Sequence, residues 1–453
     1  ENYRHRFKKA DGLAAGLKSN LMQTHGGTFF IWANDSSGAL TPLGGMDTAT
    51  TTISEYNTTR FSLDPFISYV KNNGTSHKLN TRYFFTENKN NTHQGSTARM
   101  YFAEYQFQKK FKEILTTTFG VTDVYSDVKS ELYDGNHTGK NFALFGQADV
   151  KYKKISFSLG ARTEKSRVDT AEDDFKPVIR TGINYRVAGE TYLRASYGEG
   201  YRFPSIAEKY VTTEVGGVKI YPNDSLRPET GWSSEFGVMQ GVKISDWKGY
   251  FDVAIFRTEY KDMMEFLFGQ YGPVVFPTLG FGFKSLNIGD TRVEGVDISL
   301  SGEGEFGNTE LKVLAGYTYM NPIKLDYNAA VDTVGSPAHY NILKYRYRHL
   351  FKGDVEVTVK KISTGVSVRY NSFMENIDWL FNLGLPGMLP AMNSYRSKHN
   401  AGDAVFDFRL ACQALVSTKV SFIVNNIFNR EYVGRPYDMQ PPRTFTLQFS
   451  LSL

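Results

Sequence analysis

No stretch of eighteen apolar residues occurs in the chain, so a membrane-spanning helix is excluded at the outset. A single cysteine, Cys412, excludes an internal disulfide framework, and the eight histidines show no zinc-ligand spacing. Signatures of chemistry are missing too. There is no Gly-x-Ser-x-Gly, no His-Glu-x-x-His and no phosphate-cradling P-loop, so no enzyme activity, catalytic residue, metal or cofactor is expected. The one formal dinucleotide fingerprint, Gly302 to Gly307, ends one alternating run and turns into the next, with no helix to cap a pyrophosphate. The 52 basic and 47 acidic residues are mixed along the chain without a basic stripe, which excludes nucleic acid as a partner. Neither an initiator Met nor a secretory leader precedes Glu1, so a mature or incomplete chain is expected.

What the chain has is alternation. Phe445, Leu447, Phe449, Leu451 and Leu453 alternate with Thr444, Thr446, Gln448, Ser450 and Ser452. The same period of two recurs at Ile155, Phe157, Leu159 and Ala161, at Ile179, Thr181, Ile183 and Tyr185, and at Leu311, Val313, Ala315, Tyr317 and Tyr319. Each run describes a strand with one apolar and one wet face. A soluble sandwich or propeller would alternate in the same way, but its strands are commonly five or six residues long. The candidate strands here run roughly 9 to 15 residues, which fits a tilted membrane crossing. Aromatics reach 15%, with 28 Tyr and 34 Phe, as expected where aromatic girdles mark two membrane interfaces.

Connections alternate in length. Short ones are read at Thr24 to Gly27, Asn72 to Thr75, Lys109 to Lys112, Ala188 to Glu190, Asp246 to Gly249, Phe306 to Asn308, Lys360 to Lys361 and Ser417 to Thr418. Long ones are read at Asn34 to Thr59, Gly200 to Thr230, Met263 to Asp290, Pro322 to Tyr345 and Phe373 to Gly402. Short turns on one side and long loops on the other define an outer-membrane barrel, an all-β transmembrane antiparallel β-barrel. The chain is read as one barrel domain, residues 1–453, of about 19 strands, the first running down from the long-loop side. Bacterial barrels close with an even number, so at least one further strand is expected before Glu1.

Two segments carry a family resemblance. SYGEGYRFPSIAEKY, Ser196 to Tyr210, and NDSLRPETGWSSEFGV, Asn223 to Val238, resemble the barrel of TonB-dependent outer-membrane receptors through Tyr201, Arg202, Phe203, Pro204 and Glu208, then Leu226, Arg227, Pro228 and Glu229. TRVEGVDISLS from Thr291 and VNNIFNREY from Val424 agree with that family's later strands, so the resemblance runs from about residue 175 to the end. It implies a barrel of about 22 strands, of which this chain would hold the C-terminal part, with a plug domain preceding it and energy supplied through the TonB complex. The chain contains no segment read as that plug, and Leu453 stands where the family commonly ends in Phe.

Function follows as expectation. The resemblance implies an active transporter in the bacterial outer membrane, bathed in its lipid, importing a scarce nutrient. Siderophore, haem, cobalamin, glycan and peptide are not distinguished. A passive porin-like or surface-receptor barrel, or the barrel subunit of a complex with a surface lipoprotein, is the alternative. An external ligand or partner is expected on two apolar loops, through Phe266, Phe268, Tyr271 and Phe276 in one and Trp379, Phe381 and Met388 in the other. Loops this apolar pack on one another, hold an amphipathic ligand, or dock a lipoprotein. Arg202, Pro204, Glu208, Arg227, Pro228 and Glu229 are expected to brace loop and wall rather than touch solute. His93, His137, His339 and His399 fall in or beside long loops, where a solvated histidine is the ordinary case and haem ligation the exceptional one.

Overall fold

The structure is a computed structural model that describes residues 1–29, 32–33, 41–45, 47, 51–91, 94–215, 218–275, 279–328, 341–384 and 389–451. Expectations placed on Asn34, His93, Phe276, His339, Met388 and Leu453 lie outside these residues. The strands are β1 (Asn2–Arg6), β2 (Leu13–Thr28), β3 (Ser54–Val70), β4 (Thr75–Asn90), β5 (Ser96–Phe111), β6 (Leu115–Ser130), β7 (Gly135–Tyr152) and β8 (Ile155–Val168). They continue as β9 (Ala171–Glu172), β10 (Lys176–Ala188), β11 (Thr191–Arg202), β12 (Thr213–Val215), β13 (Val218–Tyr221), β14 (Glu229–Ile244), β15 (Trp247–Lys261) and β16 (Met264–Gln270). The last are β17 (Phe281–Asn287), β18 (Thr291–Phe306), β19 (Thr309–Lys324), β20 (His349–Val359), β21 (Ile362–Asn371), β22 (Asp403–Leu415), β23 (Thr418–Asn425) and β24 (Thr444–Leu451). Three short helices sit in loops: α1 (Ile206–Tyr210), α2 (Trp379–Leu383) and α3 (Asn393–Lys398).

Twenty of the described strands form one antiparallel sheet, and 19 of them, setting aside the two-residue β9, follow one another as a meander from β1 to β24. The expected number of strands agrees. Among the described residues, β1 pairs only with β2 and β24 only with β23. The two ends nevertheless meet on the long-loop side, where Trp32, from the loop after β2, packs edge-on against Tyr395 of α3, with ring centroids 5.3 Å apart. The sheet is therefore rolled into a cylinder.

Cross-strand partners share a face, so the register assigns every side chain to wall or lumen. One face carries ion pairs: Arg82 with Asp64 at 2.7 Å, Arg162 with Glu164 at 3.0 Å, Arg194 with Glu235 at 2.9 Å, Arg369 with Asp407 at 3.3 Å and Arg409 with Asp354 at 2.6 Å. Those residues line the interior. The other face leaves apolar side chains bare, with Leu21 69%, Ile255 56%, Ile179 48%, Leu159 46% and Val355 44% exposed, a surface stable against hydrocarbon and not against water. Aromatic rings bound this band on its upper edge, where Tyr101 lies 5.3 Å from Tyr83 and 6.1 Å from Tyr125. Near the lower edge, His77 sits 5.2 Å from Phe107 and accepts or donates at Tyr105. On β5 the outward charges Arg99 and Lys109 bracket the band, and the ten residue steps from one to the other rise about 26 Å at the usual tilt, close to the apolar height of outer-membrane barrels.

Three turn readings are corrected. Asp246 to Gly249 lies largely within β15, which begins at Trp247, and the chain reverses instead at Ser245, whose φ of 54° is left-handed. Thr24 to Gly27 is no turn but the upper end of β2, paired with β3 from Thr24↔Thr58 to Gly27↔Glu55. Its two glycines serve close packing: a Cβ on Gly26 would lie 2.8 Å from the Tyr56 hydroxyl. The first short turn is instead at residues 7–12. The turn placed at Lys109 to Lys112 lies later, because β5 runs to Phe111 and the chain reverses at Lys112, whose φ of 49° is left-handed. Gly302 to Gly307 ends β18 and makes the turn into β19, with Gly307 at φ 63°.

Candidate functional site

The long loops build one cap. A second sheet, β12-β13-β17-β16, grows out of the loops after β11 and β15, with β13 and β17 parallel and β16 and β17 antiparallel. Its register puts Phe266, Phe268, Phe281 and Phe283 on one face, where Phe266 stacks on Phe283 at 5.0 Å and Phe268 on Phe281 at 6.1 Å. Into this face the loop after β21 inserts Phe381 of α2, 5.1 Å from Phe268 and 5.2 Å from Tyr437. Tyr437 comes from the loop after β23 and donates to the Pro390 carbonyl at 2.9 Å. Val218, Met374, Ile377, Leu380, Met392 and Trp32 complete the core. With Tyr345 and Tyr347 of the loop after β19 packed against it, six loops share one apolar interior.

The segment between this cap and β20, Lys344 to His349, alternates basic and aromatic residues like a zipper. Lys344 and the Tyr345 hydroxyl both bond Asp378, which is 2% exposed, and Arg346 pairs with Glu265. Arg348 meets Glu375 at 3.0 Å, and the Tyr347 hydroxyl donates to the Gly434 carbonyl at 3.1 Å. Burial pushes the Glu265 carboxyl up, against the pull of Arg346. Burial also raises the Tyr345 and Tyr437 phenols, which stay protonated and able to donate. Sequence reading missed this strap, and its period of two was the available signal.

The expected contact residues divide by exposure. Phe268 and Phe381, at 7% and 3% exposed, are core, whereas Phe266 and Trp379, at 41% and 38%, present an edge outward. Tyr271 lies on the sheet's other face, 6.2 Å from Tyr221, and its hydroxyl donates to the Leu267 carbonyl. Lys219 and Lys284 sit over these two rings at 5.3 and 6.0 Å. Trp32 and the loop after β23, both essential to the cap, had no place in the expected site. Trp32 sits in the unbroken apolar run that starts at Phe29, and such a run gives no period to read.

The second group converges where β11 leaves the wall. Arg202 bridges Glu229 at 2.7 Å and Glu208 at 2.6 Å. Glu208 also closes a capping box with Ser205 at the start of α1, and Glu229 accepts the Met264 amide at 2.7 Å, so one guanidinium ties β11, α1, β14 and the cap sheet together. Despite its burial, Glu208 is held below the ordinary carboxylate range by Arg202 and the Ser205 amide. Pro204 is buried beneath, while Arg227 reaches Asp262 at 2.5 Å and Pro228 is half-buried between Arg227 and Glu229. Of the described histidines expected in loops, His137 stacks on Tyr210 at 4.0 Å and meets Asp169 at 2.7 Å, and His399 stacks on Tyr395 at 4.0 Å and meets Asp403 at 2.8 Å. Neither is simply solvated. Both ring faces are spent on structure.

A rolled antiparallel sheet with a hydrophilic ion-paired lumen, an apolar belt and a loop cap over one mouth defines a transmembrane receptor barrel. Residues 2–427 match the model of the TonB dependent receptor-like, beta-barrel family, and the chain belongs to that family. It resembles the ferric-catecholate import receptor Fiu of Escherichia coli K12 with a TM-score of 0.69 at 15% identity, covering 97% of this chain and 72% of that one. The siderophore receptor PirA of Acinetobacter baumannii gives 0.70 at 13%, covering 100% and 70%, and the Serratia marcescens hemophore receptor HasR gives 0.63 at 15%, covering 97% and 70%. These likenesses speak to fold. In sequence the chain is 25% identical over 118 residues to hemoglobin-binding protein A of Haemophilus influenzae, which covers 24% of this chain and 11% of that protein. A hemoglobin and hemoglobin-haptoglobin-binding protein of Haemophilus ducreyi is 25% identical over 112 residues, again 11% of its length.

Proposed function

We propose that this chain is the barrel of an energised outer-membrane receptor that captures an iron-bearing nutrient, of the haem or siderophore kind, at the capped mouth and passes it down the lumen. The reading rests on one observation, the roofing of a charge-lined lumen by a single packed loop assembly, in a member of a receptor family. Its work is binding and gating, with no bond made or broken. Phe266, Tyr271 and Trp379 are the cap side chains placed to meet a ligand, while Phe268 and Phe381 hold the cap together. Arg202, Glu208 and Glu229 brace its base. Further strands between β1 and β24, and a plug coupled to TonB, complete the working protein in this reading.

Growth of a strain dependent on this receptor, supplied with haem or with a ferric siderophore as its single iron source, tests it. Growth on one source that vanishes when TonB is deleted supports the proposal. Uptake indifferent to TonB favours a passive barrel. A second reading, a surface lipoprotein seated on the cap, is favoured by Val274, Val275 and Leu383, which stand 70%, 63% and 61% exposed on loops already packed beneath. Co-purification of a lipoprotein lost on Val274→Asp/Val275→Asp substitution would support it, and purification of the barrel alone would count against it.

A further inference from the structure

Segments from three separate loops meet at the upper end of β7. A short helical turn, Glu131–Tyr133, precedes that strand, and α1, from the loop after β11, reaches across the tops of β8 and β10 to meet it. The Thr212 amide donates to the Leu132 carbonyl at 2.7 Å and ties the two together. Between them stands His137, its ring stacked on Tyr210 at 4.0 Å with 12° between the planes. Its Nδ1 lies 2.7 Å from an Asp169 carboxylate oxygen, and its Nε2 lies 2.6 Å from the Tyr133 carbonyl oxygen. A carboxylate and a carbonyl only accept. Both ring nitrogens must therefore donate, which an imidazole does only as the imidazolium. The side chain is 14% exposed, and its partners come from the loops after β6, β8 and β11, away from the seam between β1 and β24.

One carboxylate balances the charge of the ring. Asp169 also accepts the Thr138 amide at 2.8 Å and the Thr138 hydroxyl at 3.3 Å. Although burial pushes its carboxyl up, His137 and the Thr138 amide hold it below the ordinary range. The Tyr210 ring offers the electron-rich face that a cation prefers. Burial raises the Tyr133 and Tyr210 phenols, so both stay neutral where histidine titrates. The other charged groups of these elements have their own partners or face solvent. Arg167 donates to the Asp169 carbonyl, Glu208 holds Arg202, Lys209 bonds the carbonyls of Asp224 and Leu226, and Glu131 and Asp134 are exposed.

The restraint on α1 is passed to the cap. The Lys209 carbonyl accepts the Asn223 amide at 2.7 Å, and the Asn223 side chain donates to the Ser285 carbonyl of β17 at 2.8 Å. We propose that His137 is a proton-dependent latch: its imidazolium pins α1, and through α1 one margin of the cap sheet, to the wall, and loss of either ring proton frees that margin. A neutral ring turns one lone pair toward an acceptor, so one of the two bonds is lost. The latch is closed on the acid side of the histidine's titration and open on the alkaline side. It stands whatever the cargo is, because every contact lies inside the protein.

Amide exchange of the full chain in neutral detergent, corrected for the intrinsic pH dependence of exchange, tests this from about pH 5.5 to 8.5, where histidine ordinarily titrates. Protection of the Lys209, Val211 and Thr212 amides is expected to fall about tenfold to a hundredfold across that range, as loss of one hydrogen bond to a charged group allows. The amides of β8 and β10 are expected to keep theirs. His137→Phe keeps a ring against Tyr210 and loses both bonds, so α1 should be loose in it throughout, with no pH dependence. Nitrogen spectra of histidine-labelled wild-type protein at the acid end should show both His137 ring nitrogens protonated, the signals being identified by their absence from the variant. Heat-modifiable migration on gels shows that the barrel of each protein is folded. Unchanged α1 protection in the wild type overturns the proposal, and so does a His137 ring with a single proton at the acid end. A pH-dependent fall that survives in His137→Phe would belong to another group, such as Lys209, and overturns it equally.

Discussion

Truncating Phe381 to alanine should dissolve the cap without unfolding the barrel. The ring is 3% exposed and touches Phe268 at 5.1 Å, Tyr437 at 5.2 Å and Phe283 at 5.9 Å, so three loops lose a common anchor at once. Burying nothing in its place costs about 3–5 kcal/mol, as for other core Phe→Ala changes. At about 1.4 kcal/mol per tenfold, the opening equilibrium of the cap rises by a hundred- to a few-thousand-fold. None of this energy is shared by the wall, whose strands are held by backbone ladders. Hydrogen exchange in detergent should therefore show the amides of β16, β17 and residues 431–439 losing protection together, while β5, β6 and β15 keep theirs. If those loop amides stay protected, or if wall and cap lose protection in step, the claim that the six loops form one separable core is wrong.

Adjacent residues on β19 should respond oppositely to charge. Val313→Arg, outward beside Val355, should cost about 2–4 kcal/mol of folding into lipid vesicles, whereas Leu314→Arg, inward beside Asp354, should be tolerated. Urea unfolding of vesicle-inserted protein reads the difference, and equal costs would reverse the assignment of faces. Arg346→Ala strands the buried Glu265 carboxylate and should loosen the cap by about 3–5 kcal/mol at neutral pH. Because burial already raises the Glu265 carboxyl, the penalty applies to its charged form, so the defect should shrink as the medium is acidified and Glu265 takes a proton. A defect of constant size throughout, by loop hydrogen exchange, would contradict this. Glu208 behaves in the opposite sense. Its carboxyl sits below the ordinary value when folded, so its bracing is present above the unfolded Glu pKa and lost as the pH falls through that of the folded state. Pepsin should cut within residues 203–228 more readily as the medium is acidified through that range, and Glu208→Gln should abolish the change.

The wall was legible because a strand's face is decided by parity alone. Ile179, Thr181 and Ile183 announce themselves in a stretch of five residues, and nothing distant can alter which way they point. Thr24 to Gly27 misled for a related reason. Paired glycines ordinarily mark a reversal, but here they sit inside β2, where Gly26 makes room for the Tyr56 ring on the neighbouring strand. The cap was harder. Its aromatic loops could be named, but Arg346 finds Glu265 across 81 residues and Tyr437 finds Phe381 across 56, so their partnership is written in no local pattern. Arg202 fell between these cases. Its motif was visible, while its role as a three-way tie became apparent only when Glu208 and Glu229 were seen on either side of one guanidinium.

The contact of Trp32 with Tyr395 has a bearing on engineering. It fastens a loop from the first strands to one from the last, so the roof is a single keystone arch, and no voussoir can be exchanged alone. Grafting one loop from another receptor to redirect its cargo should collapse the arch, whereas transplanting all six as a set should succeed.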